Sequence, residues 1–291
     1  MHSIKNETLE ISVKQSGAEL CSIKSVESGK EFIWDANPDI WGGSSPVLFP
    51  IVGGLKNNCF LHKEKIYELP RHGFIRNNDS VFLSEKRSDS LSFSLKYNEG
   101  TLKKYPFKFD FTISYTLKKN TIIVSHKVLN EGNEIMFFSL GAHPAFRCPI
   151  NEGEVYEDYF LEFEKEETSS TWLLDKNGQI TGDTSEVLKQ TKILDLYKGI
   201  FENDALIFKD LISKKVSLKS KKSSSVITIN FSGFPYLGIW AKPNADFVCV
   251  EPWLGIADSS NTNQDFETKE GIVELGIGKS FEVYYEISIE E

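Results

Sequence analysis

Residues 107–117 read Phe-Lys-Phe-Asp-Phe-Thr-Ile-Ser-Tyr-Thr-Leu, "FKFDFTISYTL". Phe107, Phe109, Phe111, Ile113, Tyr115 and Leu117 occupy every second position, with Lys108, Asp110, Thr112, Ser114 and Thr116 between them. Successive side chains of an extended chain point to opposite faces, so this period of two predicts a strand with one buried and one wet face. The same alternation recurs in "LSFSLKY" (91–97), "TIIVSHKV" (121–128), "VITINF" (226–231) and "FEVYYEISI" (281–289), separated by turn-forming Gly, Asn and Lys clusters. Many short antiparallel strands follow, with no βαβ rhythm. The expected fold is all-β, a large antiparallel β-sandwich with few short helices.

Helical pattern is scarce. "SEVLKQTK" (185–192) and the stretch from Gln264 to Leu275 are each expected to form a few turns. No repeat of fixed period, low-complexity tract or long Pro/Gly/Ser linker divides the 291 residues, so a single domain spanning 1–291 is expected.

Composition narrows the function classes. The chain is 40% hydrophobic and 26% charged, with 21 Phe and 10 Tyr, which suits a globular protein rich in strand-favouring aromatics. Its 42 acidic and 33 basic residues leave a net charge of -9, which repels nucleic acid phosphates and anionic membrane surfaces. The lysines of "KKVSLKSKK" (214–222) read as a solvated hairpin. Cys21, Cys59, Cys148 and Cys249 lie far apart without a C-x-x-C pair, which argues against a zinc knuckle, a redox motif or a disulfide framework. The start, "MHSIKNETLEISV", lacks a basic segment followed by a long apolar one, and no run approaches a membrane span. A cytoplasmic monomer or homodimer is expected.

Segments that break the alternation carry the chemistry. "WGGSSPVLFPIVGGLKNN" (41–58) is rich in Gly and Pro yet apolar, which predicts buried irregular backbone beside a site. "RHGFIRN" (71–77) sets Arg71, His72 and Arg76 around a glycine, and "GAHPAF" (141–146) puts His143 just after the apolar run "IMFFSL" (135–140). In "FVCVEPW" (247–253), Glu251 follows four apolar residues and is expected at or near the end of a buried strand. An unpaired carboxylate is costly there. Two imidazoles and a carboxylate also suit zinc, but no short local ligand spacing such as H-E-x-x-H accompanies them, so no metal is expected. A G-x-S-x-G nucleophile elbow is absent. General acid–base work by a carboxylate and an imidazole remains. Trp253, Phe234, Tyr236 and Trp240 would suit the apolar face of a sugar ring, although each also reads as an ordinary core aromatic.

Five motifs in order, "LFPIVGGLKN", "RHGFIRN", "GAHPAF", "NDALIF" and "VEPWLGIAD", resemble the successive signatures of the galactose mutarotase-like (aldose 1-epimerase) superfamily, in particular its LacX-like branch. The similarity runs from "GAELCSIKS" near the start to "GIVELGIGKSFEVYYEI" near the end. The resemblance implies a β-supersandwich that interconverts the α and β anomers of an aldose without a cofactor. It implies that Glu251 is the base on the C1 hydroxyl and His143 the acid on the ring oxygen. By the same resemblance His72 and Asp204 bind the sugar, and the ordinary pKa values of Glu and His leave the first ionised and the second partly protonated. One departure stands out. Where many relatives carry an arginine this chain has Gly53 and Gly54, so Arg71 or Arg76 would have to supply that contact. Hexose-6-phosphate epimerases resemble the chain around "HGFIR" and use nearby arginines on the phosphate, which keeps a phosphorylated substrate as an alternative. A non-catalytic carbohydrate-binding sandwich is the other.

Overall fold

The computed structural model describes residues 1–291. The 107–117 alternation becomes the strand Phe109–Lys118, paired with Thr121–Asn130 so that Phe111 faces Val128, Ile113 faces His126 and Tyr115 faces Val124. This hairpin lies inside a nine-stranded antiparallel sheet. Its order is Ile180–Asp195, Tyr159–Leu174, Lys215–Ser220, Val226–Asn230, Ser280–Glu290, Thr121–Asn130, Phe109–Lys118, Ser90–Lys96, Phe82–Lys86. All four of the other alternating segments read from the sequence are strands of this sheet.

A second, six-stranded sheet carries the chemistry. Leu206–Phe208, Tyr236–Trp240, Phe247–Trp253, Gly141–Ala142 and Val47–Leu48 follow one another, and Ala145–Arg147 also pairs with Phe247–Trp253. One apolar core of 72 buried residues joins the two sheets. Phe49, just past the Val47–Leu48 strand, stacks on Phe111 at 4.6 Å between centroids and meets Phe109 edge-on at 5.2 Å. Ring packing of this kind adds to plain area burial. Of the 41–58 segment expected to be buried, residues 43–52 are buried throughout, whereas Gly42, Asn57 and Asn58 are exposed.

Two helix expectations are corrected. Residues 185–192 belong to the 16-residue edge strand Ile180–Asp195, which pairs along its length with Tyr159–Leu174. A ready neighbour with open backbone groups outweighs the weak helical preference of Glu, Leu, Lys and Gln. The stretch from Gln264 to Leu275 is turns followed by the strand Val273–Leu275, which pairs with Met136–Phe138. The one α-helical turn, Glu99–Leu102, starts at Asn98, whose side chain accepts from Thr101 N–H at 2.9 Å.

The lysine-rich segment is the expected hairpin, Lys215–Ser220 with Val226–Asn230. Its side chains form surface ion pairs, Lys221 with Asp195 at 2.7 Å and Lys222 with Asp158 at 2.8 Å. The four cysteines are free thiols. No helix is long and apolar enough to cross a membrane.

Candidate active site

Glu251 sits inside the Phe247–Trp253 strand, every residue of which is buried. It is 1% exposed and lies opposite Gly238 of the neighbouring strand. As expected it lies near the strand end, two residues before Trp253, which pairs with both Tyr236 and Gly141. The Trp253 indole fills the space of absent side chains on both sides. A Cβ on Gly238 would lie 2.5 Å from its ring, and one on Gly141 2.7 Å away.

His143 follows the two-residue strand Gly141–Ala142 and is 8% exposed. Its ring stacks on Trp41 (5.0 Å, 27°) and meets Trp240 (5.7 Å, 86°) and His72 (5.8 Å, 82°) edge-on. Three aromatic contacts hold the imidazole so that Nε2 lies 3.3 Å from Glu251 Oε2. His72 has a left-handed backbone (φ +67°), a conformation that costs a non-glycine residue some strain. Its Nδ1 accepts the Gly53 N–H at 3.2 Å and its own N–H donates to Gly53 O at 2.9 Å. With Nδ1 accepting, the neutral ring carries its proton on Nε2.

A cavity of about 260 Å³ is lined by Glu251, His143, His72, Asp204, Arg71, Arg76 and Trp253 together. These seven sequence candidates therefore meet, though they come from four separate stretches of chain. Asp204 adopts φ +76°, and its Oδ1 accepts the next residue's N–H at 2.7 Å. The Arg76 guanidinium carbon is 5.7 Å from the Trp41 ring centroid. Arg71 fills the room beside Gly54. Its Nε lies 3.8 Å from the Cβ position of Gly54, and its Nη2 passes 1.9 Å from that of Gly178, whose φ of +76° favours glycine.

Other sequence candidates lie elsewhere. Phe234 is 1% exposed in the main core, and Tyr236 points its hydroxyl towards Glu270 at 3.5 Å. Arg147, the residue after "GAHPAF", donates from Nε to Ile33 O at 3.2 Å and lies near Asp35, away from the cavity. Trp240 does line it. The sequence reading missed Trp41, Leu174 and Gly178. Trp41 opens the Gly/Pro-rich segment and was legible by position, whereas Leu174 and Gly178 arrive on the far turn of a long hairpin and carry no local signal.

Burial overturns the ordinary protonation states. It pushes the Glu251 carboxyl well above the usual range, helped by Asp204 and opposed by the Trp253 indole N–H and Arg76. It lowers His143 to about 3, with Arg76 adding to the shift. His72 is lowered well below its ordinary value by burial, then by His143, Arg71 and Arg76. A buried carboxylate and imidazolium are each disfavoured for want of solvation. Desolvation thus favours the carboxylic acid at Glu251 and the neutral imidazole at His143. Cys249, two residues before Glu251, brings its sulfur within 4.8 Å of both. Burial and the neighbouring Glu251 hold its thiol well above the usual range.

The aldose 1-epimerase family model matches residues 1–271. The plasmid-encoded protein LacX of Lactococcus lactis subsp. lactis is 36% identical over 288 residues, covering 94% of this chain and 93% of that protein. A galactose mutarotase related enzyme from Lactobacillus acidophilus superposes with a TM-score of 0.94 at 35% identity, covering 100% of this chain and 97% of the other. A galactose mutarotase-like protein from Lactobacillus casei gives 0.93 at 27% identity, with full coverage of both. Matched along nearly its whole length in sequence and in backbone, the chain belongs to the aldose 1-epimerase family.

Proposed function

We propose that the protein interconverts the α and β anomers of a free hexose by acid–base ring opening. The observation that carries this reading is the His143–Glu251 pair, Nε2 and Oε2 3.3 Å apart, in a cavity walled by Trp253 and Trp240. Both of its tautomers hold the one proton the reaction has to deliver. A sugar whose C1 hydroxyl donates to Glu251 and whose ring oxygen accepts from His143 favours carboxylate with imidazolium, since hydrogen bonds to a charged form stabilise it.

From that state Glu251 takes the C1 hydroxyl proton and the C1–ring oxygen bond breaks. Its electron pair stays on the ring oxygen, which receives the proton of His143. The open aldehyde turns about C1–C2, and the reverse steps close the ring on the other face. Glu251 returns its proton to the former carbonyl oxygen and His143 recovers its own, so no outside proton source is needed. The His72 Nε2–H donates to a sugar oxygen, Asp204 accepts from hydroxyls, and Arg71 and Arg76 donate from the cavity wall. The indoles cover the apolar ring face.

Anomer exchange of a panel of hexoses, followed by polarimetry and by NMR exchange spectroscopy, tests this. Acceleration above the buffer rate that saturates with sugar is the expected result. Binding of a sugar with no acceleration would make the protein a carbohydrate-binding sandwich and end the catalytic reading.

A further inference from the structure

Asp258 and Lys269 form an ion pair outside the proton-handling pair, Nζ to Oδ1 2.8 Å, with 4% and 5% of the two side chains exposed. Burial lowers the Lys269 pKa and the Asp258 charge opposes the shift. Neither residue lines the sugar cavity. The second carboxylate oxygen of Asp258 accepts the Lys56 N–H at 2.9 Å, and Lys269 Nζ also donates to Ile256 O at 2.7 Å. The Asp258 backbone N–H donates to Gly54 O, and its carbonyl accepts from Ile180 N–H, each at 2.9 Å.

One residue therefore ties the 53–56 loop to the segment after Trp253 and to the strand that returns from the Gly178 turn. Gly53 is pressed against this hub, since a Cβ there would lie 2.5 Å from Ala257 N. The same Gly53 supplies the N–H that His72 Nδ1 accepts. An unbroken chain of contacts runs from the charge pair to the imidazole.

We propose that the Asp258–Lys269 pair is a positioning device for the His72 side of the sugar site. It locks the Gly53–Gly54 backbone and thereby holds His72 as the tautomer with its proton on Nε2, facing the cavity. Hydrogen bonds to an ionised carboxylate are shorter and stronger than neutral ones, which suits a hub that joins segments some two hundred residues apart in sequence. The effect on turnover rests on the reading of His72 as a sugar-binding residue; the effect on the tautomer does not.

Side-chain ¹⁵N shifts of His72 are the primary readout. The wild type should show protonated Nε2 and bare Nδ1, and Asp258→Asn should mix in the other tautomer. In the same variant KM for the best hexose should rise about tenfold while kcat changes less than about threefold. Asp258→Asn should add less than about twofold in a His72→Asn background, because the two act through one contact. Lys269→Arg, which keeps the charge, should retain the wild-type KM. If Asp258→Asn does not fold, the double neutral variant Asp258→Asn/Lys269→Met takes its place in each measurement. A wild-type His72 protonated on Nδ1, a folded variant with an unmoved tautomer, or additive losses of affinity overturn the proposal. A tautomer shift in a protein that accelerates no sugar would uphold it and instead refute the mutarotation reading.

Discussion

His143 Nε2 lies 3.3 Å from Glu251 Oε2, yet Oε2 and the opposite ring nitrogen, Nδ1, have no hydrogen-bond partner in the protein. Buried polar atoms left unpartnered cost stability and mark places where a ligand completes the bonding. Glu251→Gln replaces the carboxyl by a neutral group of the same shape. Turnover should fall by ~10²–10⁴-fold, the usual scale for a positioned base, with sugar affinity and thermal midpoint preserved. His143→Asn should lose turnover to a similar extent. Exchange spectroscopy at saturating sugar measures both, and near-normal activity in either variant removes that residue from the mechanism.

The activity should also tolerate acid better than an ordinary imidazole would allow. A depressed His143, at about 3, does not take up a second proton for the pair until the solution is strongly acidic. A raised Glu251 keeps the pair's one proton well above the usual carboxylate range. The acid limb of kcat/KM should therefore lie below about pH 5, once the spontaneous anomerisation rate is subtracted. Half-loss near pH 6.5, the ordinary imidazole value, would show that His143 is solvated in the working enzyme.

His72 sets a sugar contact more than it moves protons in the proposed mechanism. His72→Asn should raise KM at least as much as it lowers kcat. Steady-state kinetics with the best hexose settles the division, and a drop in kcat at unchanged KM would contradict it.

Arg71 and Arg76 bring two guanidiniums to the cavity, while Arg147 is occupied at Ile33 and Asp35. A hexose 6-phosphate needs a focused cation site, preferably a fork matched to the phosphate oxygens, and Arg76 lies instead near the Trp41 ring. Free glucose or galactose should show the higher kcat/KM, and Arg76→Ala should weaken its turnover less than about tenfold. Preference for the phosphorylated sugar, abolished by Arg76→Ala, would reverse the assignment.

His126 predicts an acid-labile core. Both of its ring nitrogens are buried without partners between Phe111 and Tyr285, and burial lowers its pKa to about 3. The unfolded chain protonates this imidazole near pH 6.5. The unfolded state thus binds more protons between about pH 6.5 and 3, and stability falls as pH falls through that window. His126→Phe should flatten the loss of thermal midpoint between about pH 7 and 4 relative to wild type. Parallel curves for the two proteins would dismiss His126 as a source of acid lability.

Much of the fold and of the cavity lining was legible because both rest on local pattern. Period-two alternation depends only on which side chains seek burial, so the strands at 91–97, 107–117, 121–128, 226–231 and 281–289 could be read one at a time. The apolar runs that end at His143 and contain Glu251 also carry their own signal, since a polar group there is costly unless something uses it. The strand at 180–195 was misread as partly helical because its conformation is imposed by the Tyr159–Leu174 neighbour, which no local window contains.

The all-β class, the family and the residue types gathered around the cavity are legible in local sequence pattern. How those residues behave depends on what the fold packs around them. The raised Glu251 and lowered His143, the Nε2–H tautomer of His72 and the course of Arg71 past Gly54 and Gly178 each arise from atoms far apart in the chain. Solvation, charge separation and steric room are properties of assembled surroundings, and the same Glu or His in an extended chain would keep its ordinary pKa.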